Sequence, residues 1–206
     1  MPYLAKKYFT VQEYLALEDA AEYKSEYYQG EIFAMAGGSV NHNQIITNVI
    51  SQLNQAHPRH KCRSFATEVK LWIEELDLFT YPDLMIICDK PQFYPGRTDV
   101  ILNPLVIIEV ISKSTEAYDR GKKFQFYRSI PSFQEYILID QYSVHVDQFY
   151  TNTQGKWTLT DYNDNQAILT FAKIDFEIPL EKIYHLVDFE LKESEPAETP
   201  EGKRQT

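Results

Sequence analysis

Two short apolar runs, LMIICD (84–89) and LVIIEVI (105–111), limit what this chain can fold into more than any other feature. Neither alternates polar with apolar residues, so each reads as a central strand covered on both faces. Such a sheet needs helices or further strands packed on each side. The first run is entered through Tyr81-Pro82-Asp83, where Pro82 fixes the backbone leading into the strand. The second carries one carboxylate, Glu109, in its middle. An ionised Glu left alone in an apolar interior costs several kcal/mol, comparable with a domain's whole stability of about 5–15 kcal/mol. Unless its strand lies at an edge, Glu109 needs a partner.

The neighbouring segments supply the covering layers. Thr10 stands three residues before Glu13 in FTVQEYLALED, the spacing of a capping box at the start of a short helix. KSEYYQGEIFAMAGG reads as a β-hairpin turning near Gln29-Gly30. SVNHNQIITNVISQLNQAH carries Ile45, Ile46, Val49, Ile50 and Leu53 at helical spacing. CRSFATEVKLWIEE has period two and reads as one strand, with Val69, Leu71 and Ile73 on one face and Glu68, Lys70 and Trp72 on the other. KPQFYPGRTDVILNP has loop composition. RGKKFQFYRS reads as a helix capped by Ser114 or Asp119, although Gly121 weakens it. EYILID and VHVDQFY form a hairpin around Gln141-Tyr142, KWTLTDY and AILTF extend the β region, and FEIPLEKIYHLVDF ends in a short helix. The fold class that follows is α/β or α+β, a mixed sheet flanked by helices with additional β-hairpins.

At 206 residues the chain fits one domain, expected over 1–191, followed by an acidic, Pro-containing tail at 192–206 expected to be disordered. The 15 Tyr and 12 Phe point to an aromatic-rich core. With Cys62 and Cys88 alone there is no disulfide framework or thiolate metal cage, and both are read as buried thiols. No apolar run approaches the ~20 residues of a membrane span, and the first residues lack the apolar segment of a secretory signal, so the expected location is the cytoplasm. A net charge of −10 argues against a general nucleic-acid coat protein but leaves a local site open.

Asp83 is the expected partner of Glu109. The two strands are expected to be neighbours, and two converging carboxylates repel unless a proton or cation lies between them. A hard cation such as Mg²⁺ prefers such oxygens. An Asx-turn or strand cap is the plainer explanation of Asp83.

A Pro-Asp at one strand start followed by a Glu inside the next resembles the PD-(D/E)XK nuclease superfamily, which has a restriction-endonuclease-like core. A longer block is similar to a cyanobacteria-rich family of small proteins described as "putative restriction endonucleases", also known as a domain of unknown function. Its carriers are YYQGEIFAMAG, NHNQIITNVISQL, YPDLMIICD and PLVIIEVISKSTEAYDRGKKFQFYRSIPSFQEYILID, within about residues 8–190. The resemblance implies Mg²⁺, or Mn²⁺, held by Asp83 and Glu109, hydrolysis of phosphodiester bonds in DNA, and a homodimer.

One position departs from the superfamily pattern. Two residues beyond the acid, where a Lys is expected, stands Ile111. Lys123 is the preferred replacement, because its helix would run beside the Glu109 strand; Lys113 and then Lys70 come next. Glu31 resembles an upstream acid of such nucleases, and His42, one turn before Ile45 and Ile46, is a second accessory candidate. Glu68 is a further acid. Lys113, Arg120, Lys122 and Arg128 are placed to meet flanking phosphates. A catalytically inactive binding module on the same scaffold, and a metal-dependent hydrolase of another phosphate ester, are the alternatives.

Overall fold

The structure, a computed structural model, describes residues 7–35, 37–60 and 62–191. In chain order its elements are α1 (Val11–Ala20), β1 (Ser25–Tyr28), β2 (Glu31–Ala34), α2 (Val40–His60), β3 (Arg63–Ala66), β4 (Lys70–Ile73), β5 (Leu78–Thr80), β6 (Leu84–Ile87), β7 (Val100–Ile101) and β8 (Val106–Ile111). A helical run follows as α3 (Glu116–Tyr118), a π-helical turn (Asp119–Lys123) and α4 (Phe124–Tyr127). Then come β9 (Glu135–Asp140), β10 (Val146–Thr151), β11 (Trp157–Tyr162), β12 (Ile168–Thr170), β13 (Glu177–Pro179) and α5 (Leu180–Ile183). The expected disordered segment 192–206 lies outside the described residues.

A six-stranded sheet has the order β11-β10-β9-β8-β6-β3 and a five-stranded sheet the order β2-β1-β5-β4-β7. Strand β8 is central, antiparallel to β6 and parallel to β9. Its alternation divides the interior into two layers. Val106, Ile108 and Val110 pack with Ile45, Ile46, Val49 and Leu53 of α2. Ile107 and Ile111 face the other way, among Phe126, Tyr127, Tyr136 and the five-stranded sheet's Leu71, Ile73 and Leu78. Both apolar runs are thus covered on both faces, and truncating any of these Ile side chains to Ala costs about 2–5 kcal/mol. Glu109 lies in this second layer.

Local chemistry explains the remaining elements. Thr10 and Glu13 form the expected capping box, with Glu13 N–H donating to Thr10 Oγ1 at 3.2 Å and Thr10 N–H to Glu13 Oε2 at 2.8 Å. Gln29 and Gly30 turn the first hairpin with φ of 48° and 88°, the positive pair that a two-residue hairpin turn needs. No described helix is long and apolar enough to cross a membrane.

Three expectations are corrected. The continuous strand through 62–75 is broken at Thr67, with φ of 35°. Arg63–Ala66 joins the six-stranded sheet, and Lys70–Ile73 joins the other. Next, the helix after β8 begins at Glu116 with Thr115 in the cap position, so neither Ser114 nor Asp119 caps it. Asp119 is instead inside the helical run, where its carboxylate turns to Lys123. Finally, Cys62 and Cys88 are not thiols. The register that sets Arg63 opposite Ile87 brings the next pair, Cys62 and Cys88, face to face as a disulfide with Cα atoms 3.9 Å apart.

Candidate active site

The antiparallel register Leu84↔Ile108 carries Asp83, at the entry to β6, alongside the centre of β8. Asp83 N–H donates to Glu109 Oε2 at 3.3 Å, and Val110 N–H donates to Asp83 Oδ2 at 2.8 Å. These two contacts lock the acids together through backbone. His42, in the first turn of α2, donates from Nε2 to the same Asp83 Oδ2 at 2.9 Å. Its Nδ1 is buried without a hydrogen-bond partner among the described residues. The loop before α2 lies so close to the imidazole that a Cβ on Gly38 would stand 2.8 Å from Nδ1. Glycine there leaves room for the ring.

Glu109 is 2% exposed. Its Oε1 accepts from the Tyr127 hydroxyl at 2.7 Å and lies 2.8 Å from Lys123 Nζ. Lys123 also reaches Asp119 Oδ1 at 3.4 Å. The π-helical turn sets these two side chains on the same inward side, and the buried Tyr136 hydroxyl donates to the Asp119 carbonyl at 3.2 Å. A π turn inserted in a helical run is a recurrent feature of functional sites, and Gly121, which weakened the helical reading, lies within it.

The electrostatics follow from burial and crowding. Burial, with the charges of Asp83 and Asp119, pushes Glu109 up to about 8 against the opposing pull of Lys123. Burial alone would lower Lys123, but the carboxylates of Glu109, Asp119 and Glu26 outweigh it and hold the side chain as an ammonium. Burial would likewise raise Asp83, yet the His42 hydrogen bond and the positive charges nearby keep its carboxyl below the ordinary value. The site crowds Asp83, Glu109 and Asp119 around one buried ammonium, and Glu109 keeps a proton near neutral pH that a bound cation would displace.

The donor set fits a hard divalent ion. On the described contacts, His42, Val110, Lys123 and Tyr127 occupy Asp83 Oδ2 and Glu109 Oε1, leaving Asp83 Oδ1 and the weakly engaged Glu109 Oε2. Among the described residues no group of three or more His, Cys, Asp or Glu is arranged to hold a metal. One or two carboxylates completed by water and substrate phosphate is the manner in which Mg²⁺ is commonly held.

Of the residues singled out from sequence, Asp83, Glu109, Lys123 and His42 meet here. Glu31 opens β2 opposite Tyr28, and the contacts of the four residues above run to other side chains. Glu68 is exposed and pairs with Lys24 at 2.6 Å. Lys70 is buried in the five-stranded sheet against Asp99 at 3.0 Å. Lys113 is exposed, with its Nζ 5.0 Å from the Tyr142 ring centre. Arg120 is engaged by Glu116 and Asp147. Ile111 occupies the expected lysine position as a core residue, 3% exposed in the layer with Phe126 and Tyr127.

Sequence reasoning missed Tyr127, Asp119 and Glu26. The signal for Tyr127 is its spacing: a tyrosine one turn after Lys123 places a hydroxyl where Glu109 needs a donor. Glu26 accepts a hydrogen bond from Thr80 Oγ1 and contributes to the potential at Lys123 and Tyr127. In SEYY nothing distinguishes it from an exposed hairpin acid.

A sequence model of the Uma2 family, described as "putative restriction endonuclease", matches residues 11–181. An uncharacterized protein of Synechocystis sp. (strain ATCC 27184 / PCC 6803 / Kazusa) is 37% identical over 166 residues, covering 81% of this chain and 94% of that protein. A second uncharacterized protein of the same organism is 33% identical over 178 residues, covering 86% and 92%. Among solved structures, a "putative nuclease belonging to DUF820" from Anabaena variabilis ATCC 29413 superposes with a TM-score of 0.68 at 19% identity, over 85% of this chain and 97% of that one. At that identity the likeness is one of fold.

Proposed function

The chain belongs to the family described as "putative restriction endonuclease", and from that membership we propose that it is a divalent-metal-dependent nuclease hydrolysing phosphodiester bonds in DNA. The observation that carries the reading is the Lys123 ammonium 2.8 Å from Glu109, beside the Asp83 carboxylate. It answers the absence of lysine at position 111 with a cation from the neighbouring helical run.

Asp83 and Glu109 would hold Mg²⁺ or Mn²⁺, which when bound polarises the scissile phosphate and acidifies a water. Lys123, held between Glu109 and Asp119, stays protonated. It donates hydrogen bonds that orient a water and stabilise charge developing on the phosphate, and does not act as the base. His42 keeps Asp83 aimed, and Tyr127 fixes the Glu109 carboxyl in one orientation. The proposal includes a homodimer, a common assembly for nucleases of this fold, which sedimentation of the purified chain checks.

Plasmid nicking in Mg²⁺ or Mn²⁺ is the test. Asp83→Ala and Glu109→Ala should each abolish it, and nicking that survives both changes rejects the site. A second reading, a binding module that keeps the scaffold without cutting, is favoured by the burial of Ile111. It gains if calorimetry detects no metal binding at millimolar concentration.

A further inference from the structure

Several basic side chains are already engaged by carboxylates: Lys123 by Glu109 and Asp119, Arg120 by Glu116 and Asp147, Lys70 by Asp99, Lys24 by Glu68. In segment 113–128, Lys113, Lys122 and Arg128 form no ion pair among the described residues. Each of these three lies over an aromatic ring instead. Lys122 Nζ is 4.9 Å from the centre of Tyr28 and 5.3 Å from that of Phe126; Lys113 Nζ is 5.0 Å from Tyr142; the Arg128 guanidinium is 5.2 Å from Phe124. All three rings are half-buried: Phe124 packs among Tyr136, Phe149 and Trp157, Tyr28 has its ring 5.2 Å from Phe126, and Tyr142 lies in the loop after β9; Lys122 and Lys113 are exposed.

The placement ties both lysine–tyrosine pairs to the site. Tyr28 lies two residues beyond Glu26 on β1, and Lys122 adjoins Lys123 in the π turn. Ile111 and Asp140 are register partners at the ends of β8 and β9, and Lys113 and Tyr142 each follow two residues later. One pair therefore stands on the β1 side of the carboxylates and the other at the end of the strand that carries Glu109.

Charge and depth decide which nucleic acid this arrangement suits. Segment 113–128 holds five cations against two carboxylates in a chain of net charge −10, so the rest of the molecule is strongly acidic. Duplex binding proteins commonly neutralise about 6–10 phosphates. Three unpaired cations fall well short. A single strand needs fewer charges, gains binding from bases stacked on aromatic rings, and uses nearby cations for its phosphates. Its flexible backbone can also bend towards acids as recessed as Glu109, 2% exposed.

Resting on the nuclease reading above, we propose that the site engages single-stranded DNA, with bases stacked on Tyr28 and Tyr142 and flanking phosphates met by Lys122 and Lys113. The test is fluorescence anisotropy with the full chain in EDTA, comparing a labelled single-stranded oligonucleotide with its blunt duplex. The single strand should bind at least about tenfold more tightly. Tyr28→Ala and Tyr142→Ala should each weaken that binding by roughly tenfold, Tyr28→Phe and Tyr142→Phe should retain it, and Lys122→Gln should reduce the salt slope by about 0.7. Duplex affinity equal to or above that of the single strand, or full single-strand affinity in both alanine variants, overturns the inference. Tyr142 lies in a loop, so its variants remain informative even if Tyr28→Ala fails to fold. No divalent metal is present and no cleavage is read, which separates this result from the plasmid assay: nicking without single-strand preference sinks only this inference, and preference without nicking sinks only the nuclease reading.

Discussion

Lys123 Nζ lies 2.8 Å from Glu109 Oε1, joining a helical side chain to a strand side chain deep in the interior. If this ammonium supplies transition-state stabilisation, Lys123→Met should slow plasmid nicking by about 10²–10³-fold. Lys156→Met, which removes an exposed amine in the turn between β10 and β11, should leave the nicking rate close to that of the parent. Equal losses in the two variants would show that the Lys123 effect is not specific to the site.

Tyr127→Phe removes one hydroxyl from a fully buried position and takes a donor from Glu109. The expected cost is about 1–3 kcal/mol of stability, read by urea denaturation. Mn²⁺ affinity should fall as well, since the carboxyl is no longer held in one orientation; an unchanged calorimetric titration would contradict this.

Acid should loosen the α1 side of the molecule. Hydrogen bonds from Arg97, helped by Lys70, hold Asp99 well below its ordinary value of 3.8. A carboxylate with a depressed native pKa contributes stability that is present above 3.8 and disappears as pH falls towards the native value. The thermal midpoint should therefore drop below about pH 4, and Asp99→Asn should flatten that drop while lowering the midpoint at pH 7. An identical acid profile in the variant would remove Asp99 from the account.

Reduction should destabilise the fold. Cys62–Cys88 closes a loop with a sequence separation of 26, which loop-closure entropy values at about 3.5 kcal/mol. Dithiothreitol, or Cys62→Ser with Cys88→Ser, should shift the urea midpoint downward by a corresponding amount, and the two treatments should not add.

Gln141, 2% exposed, donates from Nε2 to the Ile111 carbonyl at 3.1 Å and accepts from Ser39 Oγ. Ser39 Oγ in turn accepts from the His42 N–H at 3.1 Å. Gln141→Leu leaves the buried Ile111 carbonyl unsatisfied, at about 1–3 kcal/mol, and removes the acceptor of the part-buried Ser39 hydroxyl. Because the tether sets the start of α2, the variant should also nick more slowly than its stability at the assay temperature explains.

The sequence revealed this site unevenly, for physical reasons. Glu109 stood out because a carboxylate in an apolar strand needs a partner, and Asp83 followed because neighbouring apolar strands bring their ends together. Lys123 was reachable because its segment reads as a helix that follows the Glu109 strand and runs beside it. Other features depend on contacts that spacing does not encode. The break at Thr67 hides inside an unbroken alternation, since either sheet satisfies the same period. The Cys62–Cys88 bond depends on the register of β3 against β6. Glu26 acquires its surroundings from Thr80, on a strand far away in sequence.

The order of strands along the chain has a consequence for dissection. β1 and β2 belong to the five-stranded sheet, β3 to the six-stranded one, β4 and β5 to the first again, β6 to the second, β7 to the first, and β8 to the second. The chain is sewn back and forth, so no single cut yields a fragment containing one whole sheet and none of the other. Asp83 sits at one of these stitches, as the last residue of the passage from β5 to β6. Split-protein complementation that separates the sheets is therefore ruled out by connectivity, and the carboxylate at the stitch is positioned only once both layers have assembled.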